Sequence, residues 1–345
     1  MPGPLIPDTT RILGEEFVAS VDAERRRLLI PGAIVHARTP LLGSVTRGLG
    51  VEDVHTGVPL AADSPMRIGS ITKTMVGTVV LRLVDEGRVQ LDADIRDYLP
   101  APVPPGVTVR RLLNMTSGLS DYTSEDFVAA LLDHPERQWT PGELLEVAFG
   151  GEQRFEPGTS WEYCNSGYIL LGLLIEAAAG DSLELVARRM VFDPLGLENT
   201  ELPPPASGLS ALPRPSVRGY HRRREDLVDA TAINPSWAWA AGGAVSTAGD
   251  LAVYVEALAR GVLLETRTQQ QRTDMEPVAD GIRYGLGIAA FSGMWGHNGE
   301  LPGFQSFAAY DPVTATTLVV LTNVDDGAAD SLAAFVRTQL HTPSA

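Results

Sequence analysis

Apolar residues recur at helical spacing from Thr10 to Leu29, and Pro31-Gly32 follows at once. That pattern predicts an amphipathic first helix with a sharp stop. The next two segments, GAIVHAR over 32–38 and GSVTRGLGV over 43–51, have the short β-branched, turn-bounded character of two strands. The chain then changes. From Ile71 to about Ser246 it consists mainly of helical runs broken by Pro and Gly, among them MVGTVVLRLVDEG, VRRLLNMTSG, ELLEVAFGG and GYILLGLLIEAAAG. Near the end FQSFAAYD and TTLVVLTN predict adjacent strands, and SLAAFVRTQLH predicts a closing helix. Strands at both ends around a helical block imply a sheet completed by distant parts of the chain. The expected organisation is one domain over 1–345 with two lobes. About 10–68 and 245–345 form an α/β lobe, and about 69–244 form an inserted, mainly helical lobe. No internal repeat or low-complexity segment interrupts this pattern.

Charge narrows the partners. The 345 residues carry a formal charge of -16, which argues against nucleic acid, whose binding draws on clustered Lys and Arg. The basic runs Arg25–Arg27 and Arg222–Arg224 each adjoin a glutamate and read as solvated faces. The N-terminal stretch MPGPLIPDTTRILGEEF has no basic segment leading into an apolar one. The expectation is a cytoplasmic protein without a membrane partner, although a processed secreted form would read the same way. One cysteine permits no internal disulfide. His36, His55, His134, His221 and His341 lack ligand spacing, so neither a metal nor a cofactor is expected. H-E-x-x-H, G-x-S-x-G, phosphate-loop and dinucleotide motifs are absent from the sequence.

Candidate chemistry begins at GSITKTM, 69–75, where Ser70 precedes Lys73 by three residues at the expected start of a helix. Positions three apart share a helix face, so the amine can reach the hydroxyl. A lysine whose pKa is lowered by burial can take the proton of a serine nucleophile. The helix N-terminus adds N–H groups that favour an oxyanion. Such a pair also arises by chance on solvated helices, and two further segments change its weight. FEPGTSWEYCNSGYILLG, 155–172, holds Tyr163 and Asn165 before a helix, and GMWGHNGELPGFQ, 293–305, holds His297, Asn298 and Gly299 leading into a strand.

With these three motifs the chain resembles the serine acyl-enzyme family of class C β-lactamases, soluble DD-peptidases, D-aminopeptidases and related esterases. The soluble DD-peptidase branch is the nearest in character, since it too carries a histidine at the third motif. The likeness extends through TVRRLLNMTSGLSDY, DPLGLENT, WAWAAGGAVSTAGDL and YGLGI, and covers about 31–323. It implies an α/β fold of the α+β type: an antiparallel sheet flanked by N- and C-terminal helices, with the helical lobe inserted. It also implies that Ser70 is the nucleophile, that Lys73 and Tyr163 move protons, and that Asn165 contacts the acyl side of the substrate. The backbone N–H groups of Ser70 and Glu300 would form an oxyanion hole. His297, Asn298, Gly299 and Glu300 would line the substrate strand, and Trp237 and Phe127 would wall the cleft. Cys164 reads as a small buried filler.

The chain departs from that branch at three positions. Ile288-Ala289-Ala290 stands where an arginine would follow YGLG, and Asn298 and Glu300 stand where hydroxyl residues would be. A glutamate beside a substrate carboxylate is repulsive by about 1 kcal/mol or more at 4 Å. DD-carboxypeptidase and β-lactamase activities are therefore disfavoured. The leading expectation is a serine hydrolase of amide or ester bonds in small molecules or peptides, D-configured peptides included. Two alternatives stay open: an acyltransferase or peptide cyclase using the same acyl-enzyme, and a non-catalytic binding protein that retains the fold.

Overall fold

The computed structural model describes residues 13–205, 217–224 and 226–341. Its centre is an eight-stranded antiparallel sheet in the order β2-β1-β12-β11-β10-β9-β8-β7. The strands are β1 (Gly32–Thr39), β2 (Gly43–Gly50), β7 (Glu276–Ala279), β8 (Ile282–Tyr284), β9 (Ala289–Phe291), β10 (Met294–Leu301), β11 (Phe304–Asp311) and β12 (Thr316–Thr322). Two-residue strands β3 (Met66–Arg67) and β6 (Val245–Ser246) pair with each other, and β4 (Tyr220–Arg223) forms a hairpin with β5 (Asp226–Asp229). The register of β1 on β12, from Ala33 opposite Thr322 to Arg38 opposite Thr317, joins the two ends of the chain.

Both faces of the sheet are covered, which explains why β12 reads as the unbroken apolar run TTLVVLT rather than as an alternation. Leu318 and Val320 enter one core with Ala33, Val35, Leu332 and Val336, under the helices Glu15–Arg27 and Ala328–His341. Val319 and Leu321 enter the other with Ile34, Val79, Leu113 and Leu170, under the helices Ile71–Asp85 and Ala248–Arg260. The first helix occupies Glu15–Arg27; the expected start at Thr10 lies outside the described residues.

The meander β7–β9 had no expectation in the sequence beyond the YGLGI segment. Its strands are only three or four residues long, with Pro277 in one and an Asp280-Gly281 turn between two, too short for a period to register. Its shortness has a consequence for the site. β9 pairs with β10 only as far as Gly296 opposite Ala289, so the remainder of β10, His297 to Leu301, has β11 on one side only.

Candidate active site

The helix Ile71–Asp85 is buried nearly all round: Val76, Val79, Val80 and Leu83 are all within the core. Its buried hydroxyls are satisfied locally, Thr74 Oγ1 donating to Ile71 O and Thr78 Oγ1 to Thr74 O, each at 2.7 Å. Ser70 is its N-cap residue. Gly69 before it has φ +51, and a Cβ there would lie 2.7 Å from Glu300 N. A Cβ at Gly299 would lie 2.1 Å from Ile68 O and 2.8 Å from Ser70 N. These two glycines let the start of the helix and the free edge of β10 come together, with the backbone nitrogens of Ser70 and Glu300 at the junction.

Lys73 is fully buried and makes three contacts through its amine: Ser70 Oγ at 3.0 Å, Asn165 Oδ1 at 2.7 Å and Ala241 O at 2.7 Å. Burial pulls its pKa down to about 7, against smaller opposing effects of Asp121 and Cys164. The geometry suits the neutral amine. Two N–H bonds go to the amide and carbonyl oxygens, which can only accept, and the lone pair is left for the Ser70 hydroxyl proton. The Tyr163 and Tyr168 rings lie 4.8 and 5.5 Å from Nζ.

Asn165 opens the helix Asn165–Ala179, and Cys164 before it supplies no side-chain cap. Asp121 takes that role from a distant loop. Its Oδ2 accepts from Asn165 N at 2.9 Å and from Asn165 Nδ2 at 3.0 Å, and its Oδ1 accepts from Thr123 N and Oγ1 at 3.0 Å. A carboxylate surrounded by donors fixes which end of the Asn165 amide faces Lys73. The Ala241 carbonyl belongs to the short helix Trp239–Gly242, whose first residue is held at φ +28. The Trp239 indole is fully buried and donates to Glu184 Oε1 at 3.1 Å.

Tyr163 faces the same cleft, and its Oη is buried without a hydrogen-bond partner among the described residues. Burial dominates and raises its pKa, against the nearby Ser70 hydroxyl, which favours the phenolate, so the group stays a phenol at neutral pH.

His297, Asn298, Gly299 and Glu300 follow one another along the free edge of β10. Their side chains do not all meet the cleft. His297 lies beneath it, with burial lowering its pKa to about 4. Nδ1 faces the Asn298 carbonyl and Nε2 is 3.1 Å from the Tyr284 hydroxyl. The neutral ring thus donates from Nδ1 and accepts at Nε2 from Tyr284, and brings no positive charge. Asn298 Nδ2 donates to Asp330 Oδ2 at 3.0 Å.

The cleft itself encloses about 530 Å³, within the usual span of small-molecule sites. Ser70, Tyr163, Asn165, Asn298, Gly299, Glu300 and Trp237 line it. Phe127 does not: it is buried behind Trp237 against Tyr122 and Trp139. Its neighbours Val128, Leu131 and Leu132 form the apolar wall instead. Ala289, where an arginine would serve a substrate carboxylate, is buried in the sheet. Among the described residues the lining contains no Lys or Arg and two carboxylates, Glu300 and Asp325. Asp121, Ala241 and the pair His221–Asp325 escaped sequence reasoning, because their partners are remote in the chain. Cys164 is buried, which pushes its thiol up to about 12 and keeps it protonated at neutral pH.

Among the described residues no helix is long and apolar enough to cross a membrane. The Beta-lactamase family model matches residues 23–341. Penicillin-binding protein 4 of Amycolatopsis lactamdurans is 34% identical over 158 residues, 44% of this chain and 39% of that protein. Esterase EstB of Burkholderia gladioli is 31% identical over 188 residues, 50% of this chain and 47% of that protein. The chain thus matches less than half the length of either. Among solved structures, a D-stereospecific amidohydrolase from Streptomyces sp. superposes with TM-score 0.80 at 31% identity, covering 91% of this chain and 96% of that one. The D-amino acid amidase of Ochrobactrum anthropi SV3 gives TM-score 0.84 over 95% of this chain, and at 22% identity it speaks for the fold alone. A sheet closed by both chain ends, a serine and a buried lysine one turn apart, and a family match over nearly the whole length carry one conclusion: the chain belongs to the Beta-lactamase family, a family of serine hydrolases.

Proposed function

We propose that the protein hydrolyses amide or ester bonds of neutral or cationic substrates, D-configured amides and peptides among them, through an acyl-enzyme on Ser70. The observation that carries this reading is the Lys73 amine, held at 3.0 Å from Ser70 Oγ with its N–H groups taken by Asn165 and Ala241. Lys73 takes the Ser70 proton as Oγ attacks the carbonyl carbon, and the resulting oxyanion meets the N–H groups of Ser70 and Glu300. The Tyr163 phenol gives its proton to the departing nitrogen or oxygen and is reprotonated by the Lys73 ammonium. Water then attacks the ester on Ser70, loses its proton along the same route, and frees the serine. The Streptomyces amidohydrolase supports the D-stereospecific amide as a substrate class.

The electrostatics support a substrate without a carboxylate at the reacting end. His297 is neutral, Ala289 occupies the place of a cation, and Glu300 stands in the cleft. Intact-mass measurement after exposure to an activated ester tests the mechanism. The expected result is a single acyl addition mapping to Ser70, absent in Ser70→Ala, with turnover lost in that variant. An adduct on Cys164, or wild-type turnover by Ser70→Ala, would sink the reading. Competition between water and added amines in the same assay measures how much of the acyl group is transferred rather than hydrolysed.

A further inference from the structure

The three hydrogen-bond partners of the Lys73 amine, Ser70 Oγ, Asn165 Oδ1 and Ala241 O, are all neutral. In the proposed acylation the Ser70 O–H bond breaks, its proton becomes the third N–H of Lys73, and the carbonyl oxygen takes the negative charge. A positive charge then appears on a fully buried side chain. Such a charge is costly unless an opposite one stands near it.

The titratable groups that face the amine come from several elements, and most bring no charge. Burial raises the pKa of the Tyr163 and Tyr168 phenols and of the Cys164 thiol, and lowers that of His297 on β10. The Tyr122 phenol is likewise raised by burial. Arg272 packs on the following turns of the same helix, at Thr74 O and Thr78 Oγ1, and is itself a cation. Asp121 is the carboxylate that remains, and its influence favours the ammonium, against the larger effect of burial.

Asp121 lies in the loop between the helices Val109–Leu113 and Glu125–Asp133. It precedes the cleft-lining residues Tyr122 and Thr123 without being part of the lining. It reaches Lys73 through Asn165. Asp121 Oδ2 accepts from Asn165 N and Nδ2, and Thr123 Oγ1 accepts from Nδ2 at 3.2 Å. Both hydrogens of the Asn165 amide are thereby spent on this loop, which leaves Oδ1 for the amine. The loop is itself tied down on both sides. Tyr122 N donates to Ser166 Oγ at 3.0 Å, and Tyr122 Oη donates to Trp237 O at 2.7 Å. Carboxylate, amide and amine thus stand in series, an arrangement in which each hydrogen bond polarises the next.

Resting on the acyl-enzyme reading above, we infer that Asp121 is a positioning residue that acts on Lys73 through Asn165, supplying the counter-charge for the ammonium formed when Ser70 is acylated. It touches neither Ser70 nor the cleft, and its effect is to set how readily the amine accepts and keeps the serine proton.

The chain contains a single lysine, Lys73. Protein labelled with carbon-13 at the lysine ε-carbon therefore gives one side-chain signal, whose shift reports the charge of this amine alone. The test follows its titration by NMR in wild type, Asp121→Asn and Asp121→Glu, beside the pH dependence of kcat/KM for one p-nitrophenyl ester. Wild type is expected to titrate at about 7. In Asp121→Asn the midpoint should fall by at least about half a pH unit, because losing an anion disfavours the ammonium. The acid limb of kcat/KM should move down with it, and the plateau should fall at least about tenfold. Asp121→Glu keeps the charge and should titrate closer to wild type than the Asn variant does. A contact that only supports the fold would lower the plateau and leave both midpoints in place. Thermal melting checks folding, and Asp121→Ser serves in place of an Asn variant that does not fold. A midpoint that stays or rises in the folded uncharged variant, or a plateau equal to that of wild type, overturns the inference. Intact mass after the same ester separates the two readings. A Ser70 adduct with an unmoved midpoint defeats only the inference, whereas no Ser70 adduct in wild type defeats the mechanism beneath it.

Discussion

The buried amine of Lys73 makes a prediction that links catalysis to stability. In the folded protein it titrates at about 7, against 10.5 for an ordinary lysine. The gap of 3.5 corresponds to about 5 kcal/mol, at about 1.4 kcal/mol per pH unit. Below pH 7 both folded and unfolded chains hold the proton, and the folded state bears the whole cost. Between pH 7 and 10.5 folding releases the proton, so this group destabilises less and less as pH rises. Above 10.5 its contribution vanishes. The remaining penalty is about 4 kcal/mol at pH 7 and about 1 kcal/mol at pH 9.5. Lys73→Met removes the penalty and fills the same space, but leaves Asn165 Oδ1 and Ala241 O without their donor, which costs about 1–3 kcal/mol each at any pH. The difference between the two proteins should therefore shift by about 3 kcal/mol in favour of wild type from pH 7 to 9.5. Urea unfolding of both proteins at the two pH values measures it, because every other titrating group is shared and cancels. A difference that stays constant with pH would show that Lys73 keeps an ordinary pKa, and the base role would fall with it. Wild-type kcat/KM should rise about tenfold per unit below pH 7 and flatten above it, as the neutral amine becomes available.

Tyr163→Phe should slow acylation by at least about a hundredfold, the scale of a positioned proton donor. It should leave the melting temperature unchanged or slightly raised, because the lost hydroxyl is buried without a hydrogen-bond partner among the described residues; wild-type acylation rates in the variant would remove Tyr163 from the mechanism. Gly69→Ala places a Cβ 2.7 Å from Glu300 N in a backbone with φ +51. It should part the serine from the β10 edge and cut kcat by at least about a hundredfold, read by stopped-flow acylation, with far-UV dichroism preserved.

How much of this was legible in the sequence depended on distance along the chain. Ser70 and Lys73 lie one turn apart, so helix geometry alone brings them together, and the long apolar run after them marked the helix as buried. The pairing of β1 with β12 was legible as an organisation, because strands at both termini need partners, but its register was not. Phe127 was expected at the cleft and lies behind it. On the helix Glu125–Asp133 the adjacent Val128 and the next turn's Leu131 and Leu132 face the opening instead, and a likeness of sequence does not fix the rotation of a short helix. His297 was expected to contact substrate. A strand alternates its faces, and the residue that turns inward here is capped by Tyr284, a partner from the short β8 that no periodicity announced.

The residues that would make Lys73 a base in the proposed mechanism show why local rules stop short of a site. Thr74 and Thr78 on the same helix find acceptors within a turn, and their burial needs nothing from elsewhere. Lys73 cannot do so, because its amine extends past its own helix. Its acceptors are 92 and 168 residues away, on Asn165 and Ala241. Each is oriented by a further remote contact: Asp121 holds the Asn165 amide, and the Trp239 turn, anchored at Glu184, presents the Ala241 carbonyl. Two N–H groups so occupied leave a lone pair, and full burial brings the pKa down to about 7, so a large share of the amine is neutral near neutral pH. The amine beside Ser70 is thus placed by distant segments that converge on it. The same convergence ties the site to stability, since Lys73→Met would remove the cost of a dry amine but strand the two oxygens that the amine now satisfies.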